Sequence, residues 1–543
     1  MRAMPVPRLA LPPAPAALAL IAVAFVLPGL ASHDPWKTHD VIGLAIVHGM
    51  ALSGDVIVPR VAGLVWLYDP PLYHWIAAAF GKIGQFVMEF HSAARLASGA
   101  FMAAALWLIY VTARDWTRDE DGRSQACAAL LILLGSVGLM VHAHEAVPEL
   151  ASLAAMGGAL ATLPYAVRKP VHAGALFGAA LGFAFLSANW IGPASLGIAV
   201  AAAHAVCPEW RTRNAMRFLG VAAAVAAVLA LSWPLALFIR SRELFSDWWQ
   251  LAGYTQSERL PSLRYYLATG SWFAWPAWPL ALWAMWSLRR RSNDPRLFVP
   301  SVAIVLMLAG ISYWGPAQDV NLIPLLAPLA LLAAMAVFSL RRGAAAALDW
   351  FGVLTFAFFA GLVWLGYIGM MTGLPPRVAA NFERAAPGFV PRFDVIAFVI
   401  ALALTVGWVY VVFFTASSPL RSLARWAAGI VLLWGTFAML WMPWADYQKS
   451  YRSVALQLRS KIPVAAPCVA QRGLGVSQAA ALDYHAGIRP RPFDVVKPAA
   501  CPLLIVQGNP RYEFDAPGPG WIKLADVGRP GDRGERYRLY RLK

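Results

Sequence analysis

Runs of about 20 predominantly apolar residues recur from near the N-terminus to about residue 443, and nothing else in the chain limits its fold so strongly. A helix of that length crosses the hydrocarbon core of a bilayer, roughly 30 Å, with every backbone hydrogen bond made internally. With 59% of its residues hydrophobic and 13% charged, the chain has far more apolar surface than a water-soluble domain can bury. The bilayer is therefore its solvent.

Basic residues fall in short segments between the runs: Arg114 to Arg123, Arg168 and Lys169, Arg211 to Arg217, Arg289 to Arg291, Arg341 and Arg342, and Arg421 to Arg425. Short loops rich in Arg and Lys stay on the cytoplasmic side. Helices placed between these marks and the intervening turns number about thirteen. That odd count puts the N-terminus in the cytoplasm and the C-terminal region in the periplasm of a multi-pass inner-membrane protein. The net charge of +17 follows from this topology and from anionic lipid, so no nucleic acid is expected as a partner. The first run, Ala10 to Ala31, follows Arg2 and Arg8 like a signal peptide. Its length and lack of an A-x-A cleavage site predict a retained anchor instead.

The chain divides into a transmembrane part, residues 1–443 with a first outer loop at 32–90, and a tail, residues 444–543. The tail alternates Pro- and Gly-rich turns such as Asp515 to Gly520 with short apolar runs such as Leu503 to Val506, the pattern of a small α/β domain. Tyr451 to Ile462 has the spacing of an amphipathic helix, and Arg536 to Leu542 that of a final strand. Of the 4 cysteines, Cys127 and Cys207 fall at cytoplasmic helix ends, whereas Cys468 and Cys501 share the tail. An oxidising compartment permits a Cys468–Cys501 disulfide; two unpaired thiols are the alternative.

Polar chemistry concentrates in the outer loops. The first begins His33-Asp34-Pro35-Trp36-Lys37-Thr38-His39-Asp40 directly after a membrane helix, where charge is expensive unless it does something. Asp34 or Asp40 is a candidate general base for an acceptor hydroxyl or amine, with Lys37 or Arg60 holding a phosphate. The structural alternative makes Asp34 and Asp40 helix-capping residues and Lys37 a snorkelling one. Asp55, in Ser53-Gly54-Asp55, reads as ordinary turn chemistry. A second cluster, His142, His144 and Glu145 with Pro148 and Glu149, offers ligands for a divalent metal, the one cofactor the residues suggest. At an interfacial turn such a sequence is more often a solvated or hydrogen-bonded structural element. The segment from Arg240 to Arg264, with Trp248, Trp249, Arg259 and Arg264, suits a helix in the headgroup plane that anchors or binds lipid phosphate.

Together these pieces resemble the membrane glycosyltransferases of the protein O-mannosyltransferase and lipid A aminoarabinose transferase superfamily, the glycosyltransferase family 39-like enzymes of GT-C fold. In that superfamily the first outer loop carries an acidic pair, then Ser-Gly-Asp with a Pro, then an aromatic-acid-Lys-Pro-Pro-Leu-x-x-Trp segment. The matching positions are His39-Asp40, Ser53-Gly54-Asp55 with Pro59, and Asp69-Pro70-Pro71-Leu72-Tyr73-His74-Trp75. Ala94-Arg95-Leu96, Leu263-Arg264-Tyr265-Tyr266-Leu267 and the proline-spaced Leu322 to Leu332 are similar to further family segments.

The resemblance implies an all-α polytopic membrane protein of the GT-C type with a small C-terminal α/β periplasmic domain. It implies inverting transfer of a sugar from a polyprenyl (undecaprenyl) phosphate donor to a membrane lipid, glycan or protein acceptor at the periplasmic face. Asp34 and Asp40 would be catalytic, and Lys37, His39, Arg60, Asp69, His74, Arg259 and Arg264 would line the donor and substrate site. Three positions depart from the pattern. His39 replaces the first acid of the pair, Asp69 replaces the lysine, and the acid expected ahead of Pro148 is displaced to Glu145 or Glu149. Two other functions stay open. A lipid flippase would show mid-membrane charges or paired halves, and a scaffold would only present the tail.

Overall fold

The computed structural model describes residues 11–31, 33–117, 122–255, 259–463, 466–493, 501–509, 511–513 and 516–543. Arg2, Arg8, Asp515 and part of the Arg114–Arg123 segment lie outside them, as does the side chain of Arg259. The chain is a multi-pass helical membrane domain followed by a small sheet domain. Among the described residues, seven helices are long and apolar enough to cross a membrane: Phe90–Trp116, Pro170–Ser187, Arg213–Arg240, Pro295–Tyr313, Arg342–Thr372, Val395–Phe414 and Arg421–Leu440. The expectation of about thirteen also counted shorter helices. Those include Pro15–Val26 and Ile191–Val206, each with one face on the core, and Gly122–Leu134, which is mostly buried. Leu326–Ala334 is the extreme case, with all nine of its residues buried. Its Pro328 sits at the third helical position, where the missing N–H has no intrahelical acceptor anyway.

The first loop is built around His39–Ser53. At 15 residues this helix rises about 22 Å, too short to span, and it lies outside the spanning helices. It is apolar because both faces are covered. Leu44 and Val47 pack against Tyr73, Ala94 and Ala146 of the membrane domain, while Val41, Ala45 and Ile46 join the tail core with Val454, Leu458, Leu482 and Ile505. Gly43 permits the close approach: a Cβ there would fall 1.9 Å from the Ala146 carbonyl oxygen. The helix ends at Gly54, whose φ of 72° is left-handed. Asp55 then accepts backbone N–H bonds from Ile57 and Val58, the turn expected of it. A hairpin of Arg60–Val61 and Leu64–Val65 leads on to Leu72–Gly84.

In the tail, Arg452–Lys461 and Arg536–Leu542 are the helix and strand the sequence predicts. The five-stranded sheet runs Arg491–Pro492, Val469–Arg472, Leu503–Gly508, Arg536–Leu542, Trp521–Val527; the first three are parallel and the last two pair antiparallel. Pairing of Val469 with Leu503 brings the preceding Cys468 and Cys501 to a Cα separation of 5.3 Å, and they form a disulfide. Because this bond closes a loop across 33 residues, Cys468→Ser should destabilise the tail by about 3–4 kcal/mol in chain-entropy terms. Thermal melts with and without reductant check this, and equal midpoints would refute it.

Candidate functional site

Beside the first loop lies a cavity of about 440 Å³. His39, Asp69 and His74 line it from the first loop, Glu149 from the start of helix Glu149–Thr162, and Asn189 and Trp190 from the turn between two further helices. Trp66, Tyr68, Trp248, Tyr254 and Trp314 make the rest largely aromatic, and Val476 closes it from the tail. Such walls suit a sugar ring or a polyprenyl stem. Among the described residues, no Lys or Arg lines it.

Glu149 is nearly sealed from water, 6% exposed, and sits at a helix N-terminus that favours negative charge. Its carboxylate accepts no hydrogen bond from another side chain among the described residues, and it is close enough to Asp69 for the two charges to repel. Asp69 accepts a bond from Trp66 Nε1 at 2.9 Å. Burial pushes its carboxyl above the usual carboxylate range, against the opposing pull of Trp66 and His39. His74 is fully buried, and neither ring nitrogen makes a hydrogen bond of ordinary geometry within the protein. The ring sits beside the Pro70 backbone, and burial pushes it well below the usual histidine range, so it is neutral.

His39 Nε2 lies 3.5 Å from Asp319 Oδ1, and Asp319 Oδ2 lies 3.4 Å from His142 Nε2. His142 Nδ1 is in turn 2.6 Å from Glu145 Oε2. The two imidazoles hold Asp319 far below the usual carboxylate range. His39 is raised above the usual histidine range: burial works against the shift, and Asp319, Glu149 and Glu145 outweigh it. Asp319 escaped the sequence reading, which gave the acid no part.

Asp40 faces the other way. Fully buried, it takes Arg95 Nε at 3.0 Å on Oδ1 and Arg95 Nη2 at 2.6 Å on Oδ2, with the Ala146 and Trp36 backbone N–H groups at 2.8 and 3.1 Å. Arg95 also donates to the His33 and Asp34 carbonyls at 2.8 and 3.1 Å. The geometry is that of a clamp. Asp34 is gripped by Arg452 through both carboxylate oxygens and by Ser450 Oγ at 2.6 Å, and these partners hold its carboxyl down at about 2 against the effect of burial. It borders a separate, more open cavity of about 730 Å³.

Three further positions lie away from the aromatic cavity. Lys37 Nζ is 2.6 Å from Glu535 Oε1 of the tail, Arg60 is at the hairpin with its guanidinium toward Gly63, and Arg264 is exposed on helix Arg259–Phe273. Arg259 opens that helix. The metal trio is not brought together. Both ring nitrogens of His144 face carbonyls, Phe25 at 2.8 Å and Met140 at 3.1 Å, and its ring stacks on Trp434. A ring in core contacts of that kind has no lone pair left for an ion. Among the described residues, Asp34, Glu89 and His91 do converge, but Arg452 already occupies the two carboxylates.

Against known proteins, the dolichyl-phosphate-mannose-protein mannosyltransferase family matches residues 68–233, the stretch that supplies Asp69, His74 and Glu149. An undecaprenyl phosphate-alpha-4-amino-4-deoxy-L-arabinose arabinosyl transferase of Sodalis glossinidius is 27% identical over 341 residues, covering 58% of each chain; the match spans a little over half of that relative. The crystal structure of ArnT from Cupriavidus metallidurans bound to undecaprenyl phosphate superposes with a TM-score of 0.71 at 19% identity, covering 97% of both chains. The chain has the GT-C fold of ArnT. Apo ArnT gives the same match, TM-score 0.68 at 18% identity over 97% of this chain and 96% of that one. The ArnT fold extends through the tail, so the sheet domain is part of the shared architecture.

Proposed function

We propose that the protein is a glycosyltransferase that moves a sugar from a polyprenyl phosphate donor to an acceptor in the aromatic cavity. The observation that carries this is the convergence of Asp69 and Glu149 in a sugar-sized cavity, within a fold shared with a protein crystallised with undecaprenyl phosphate. The acceptor's hydroxyl or amine attacks the anomeric carbon opposite the phosphate. Its proton passes to Glu149, and the anomeric C–O bond breaks with its electron pair leaving on the phosphate oxygen. Polyprenyl phosphate departs and the configuration inverts. Two neighbouring buried carboxylates cannot both ionise freely, which moves their proton affinity toward neutrality, where a base works best.

On this reading Asp34 and Asp40 position the loop. The membrane part ends near residue 443 and the tail occupies 444–543. Arginine-rich turns favour the cytoplasmic side, and the tail disulfide favours a periplasmic site face in a bacterial inner membrane. The acceptor is a membrane lipid, envelope glycan or protein.

Reconstitution in proteoliposomes with undecaprenyl-phosphate-linked pentoses and hexoses and total envelope lipid, followed by mass spectrometry, should show an acceptor heavier by one sugar. Loss of that mass gain in Glu149→Gln supports the site. Flux of the donor through the proteoliposomes without any covalent product would favour a flippase.

A further inference from the structure

The aromatic cavity poses a charge problem. A phosphate entering it meets Asp69 and Glu149, and no Lys or Arg among the described lining residues answers them. Anion binding in a dry pocket needs positive charge or aimed donors. The lining offers two imidazoles, His39 and His74.

We infer that His39 receives the donor's phosphate, with Asp319 as the positioning residue that holds it, so that cation and carboxylate have exchanged places relative to the family pattern. The inference rests on the transferase reading. Its geometry is an alternating row, Glu145–His142–Asp319–His39, in which only the terminal imidazole reaches the cavity. Asp319 engages Nε2 of His39, so Nδ1 is the nitrogen left to donate to a ligand. His74, buried on the same wall, is a second imidazole there. The exchange is visible in the motifs: His39 stands where the family has an acid, and Asp69 where it has the lysine ahead of Pro-Pro. The lysine-to-aspartate change alone would leave a phosphate facing carboxylates with no cation, and the acid-to-histidine change alone would leave two cations there; the pair together keeps one cation and one carboxylate at these two positions.

The charge of His39 is set by what surrounds it. Burial opposes the imidazolium, whereas Asp319, Glu149, Glu145 and Asp69 favour it; the His142 ring, 6.3 Å away, also faces it. Since the folded value is raised, the cation is present at low pH and is lost as pH rises through that value. Removing the Asp319 charge should move the loss to lower pH.

The test uses the full chain in nanodiscs, with undecaprenyl phosphate as probe and its affinity measured from pH 5 to 9. His39→Ala should weaken binding roughly 10- to 100-fold, the worth of one charge-assisted bond. His39→Lys should restore most of it, and Asp319→Asn should shift the alkaline loss of binding to lower pH without abolishing it at pH 5. Wild-type affinity in His39→Ala, or a pH curve unmoved in Asp319→Asn, overturns the inference. The two readings separate cleanly. If wild type transfers sugar and His39→Ala keeps the donor KM, this inference fails and the transferase reading stands. Tight, His39-dependent binding with no transfer from any donor leaves the phosphate site standing and removes the transferase.

Discussion

Replacing Glu149 by glutamine is expected to lower turnover by about 10²- to 10⁴-fold, the range for loss of a general base, with little change in donor KM. The substitution keeps shape and helix start but removes the proton acceptor. Asp69→Asn should cost less. Its Oδ2 already serves Trp66, and its main influence is the charge it presents to Glu149. With that charge gone, Glu149 becomes a weaker base, so the acid limb of the pH profile should move to lower pH. Reconstituted transfer assays across pH, with expression and melting temperature as controls, decide it. If Glu149→Gln and Asp69→Asn both turn over at the wild-type rate, the base lies elsewhere, and Asp34 becomes the carboxylate to examine.

The second large effect is on stability. Arg95→Met should destabilise the membrane domain by about 3–5 kcal/mol, because it strands the Asp40 carboxylate in a fully buried site. The double variant Arg95→Met, Asp40→Leu should recover most of that stability, since neutral side chains carry no desolvation penalty there. Activity should stay low in the double variant. Arg95 also holds the His33 and Asp34 carbonyls, and Asp40 holds the Ala146 and Trp36 N–H groups, so the loop that carries His39 loses its seat. Melting temperature and transfer rate therefore separate. Recovery of both together would mean that the pair does nothing for positioning.

Much of this architecture can be read from the chain. Length and apolarity are local properties, so the long helices announce themselves. The Leu503 and Arg536 strands and the turn at Asp55 are likewise set by neighbours in sequence. Site membership is different, because it depends on direction. His39 and Asp40 are adjacent on one helix, about 100° apart around its axis, so one meets the cavity and the other the core. Nothing in the eight residues His33 to Asp40 reveals which. Asp40 finds Arg95 on a later helix, and His39 finds Asp319 in a turn far along the chain; both partners are fixed by packing alone. The departures from the family pattern were better guides than the acids themselves, since His39 and Asp69 both line the cavity.

The clasp between the first loop and the tail has a consequence for biosynthesis. Lys37 is matched by a glutamate 498 residues later, and Asp34 by an arginine 418 residues later. At about 5–20 residues per second, a ribosome needs on the order of 25 to 100 seconds to make the stretch between Lys37 and its partner. Through that interval the nascent loop is already out of the bilayer, with its lysine and aspartate unanswered, while helix after helix is being inserted. A chain released early would carry a membrane bundle of normal appearance and a loop with no clasp. Synthesis of the tail thus becomes a precondition for closing the clasp on the first loop.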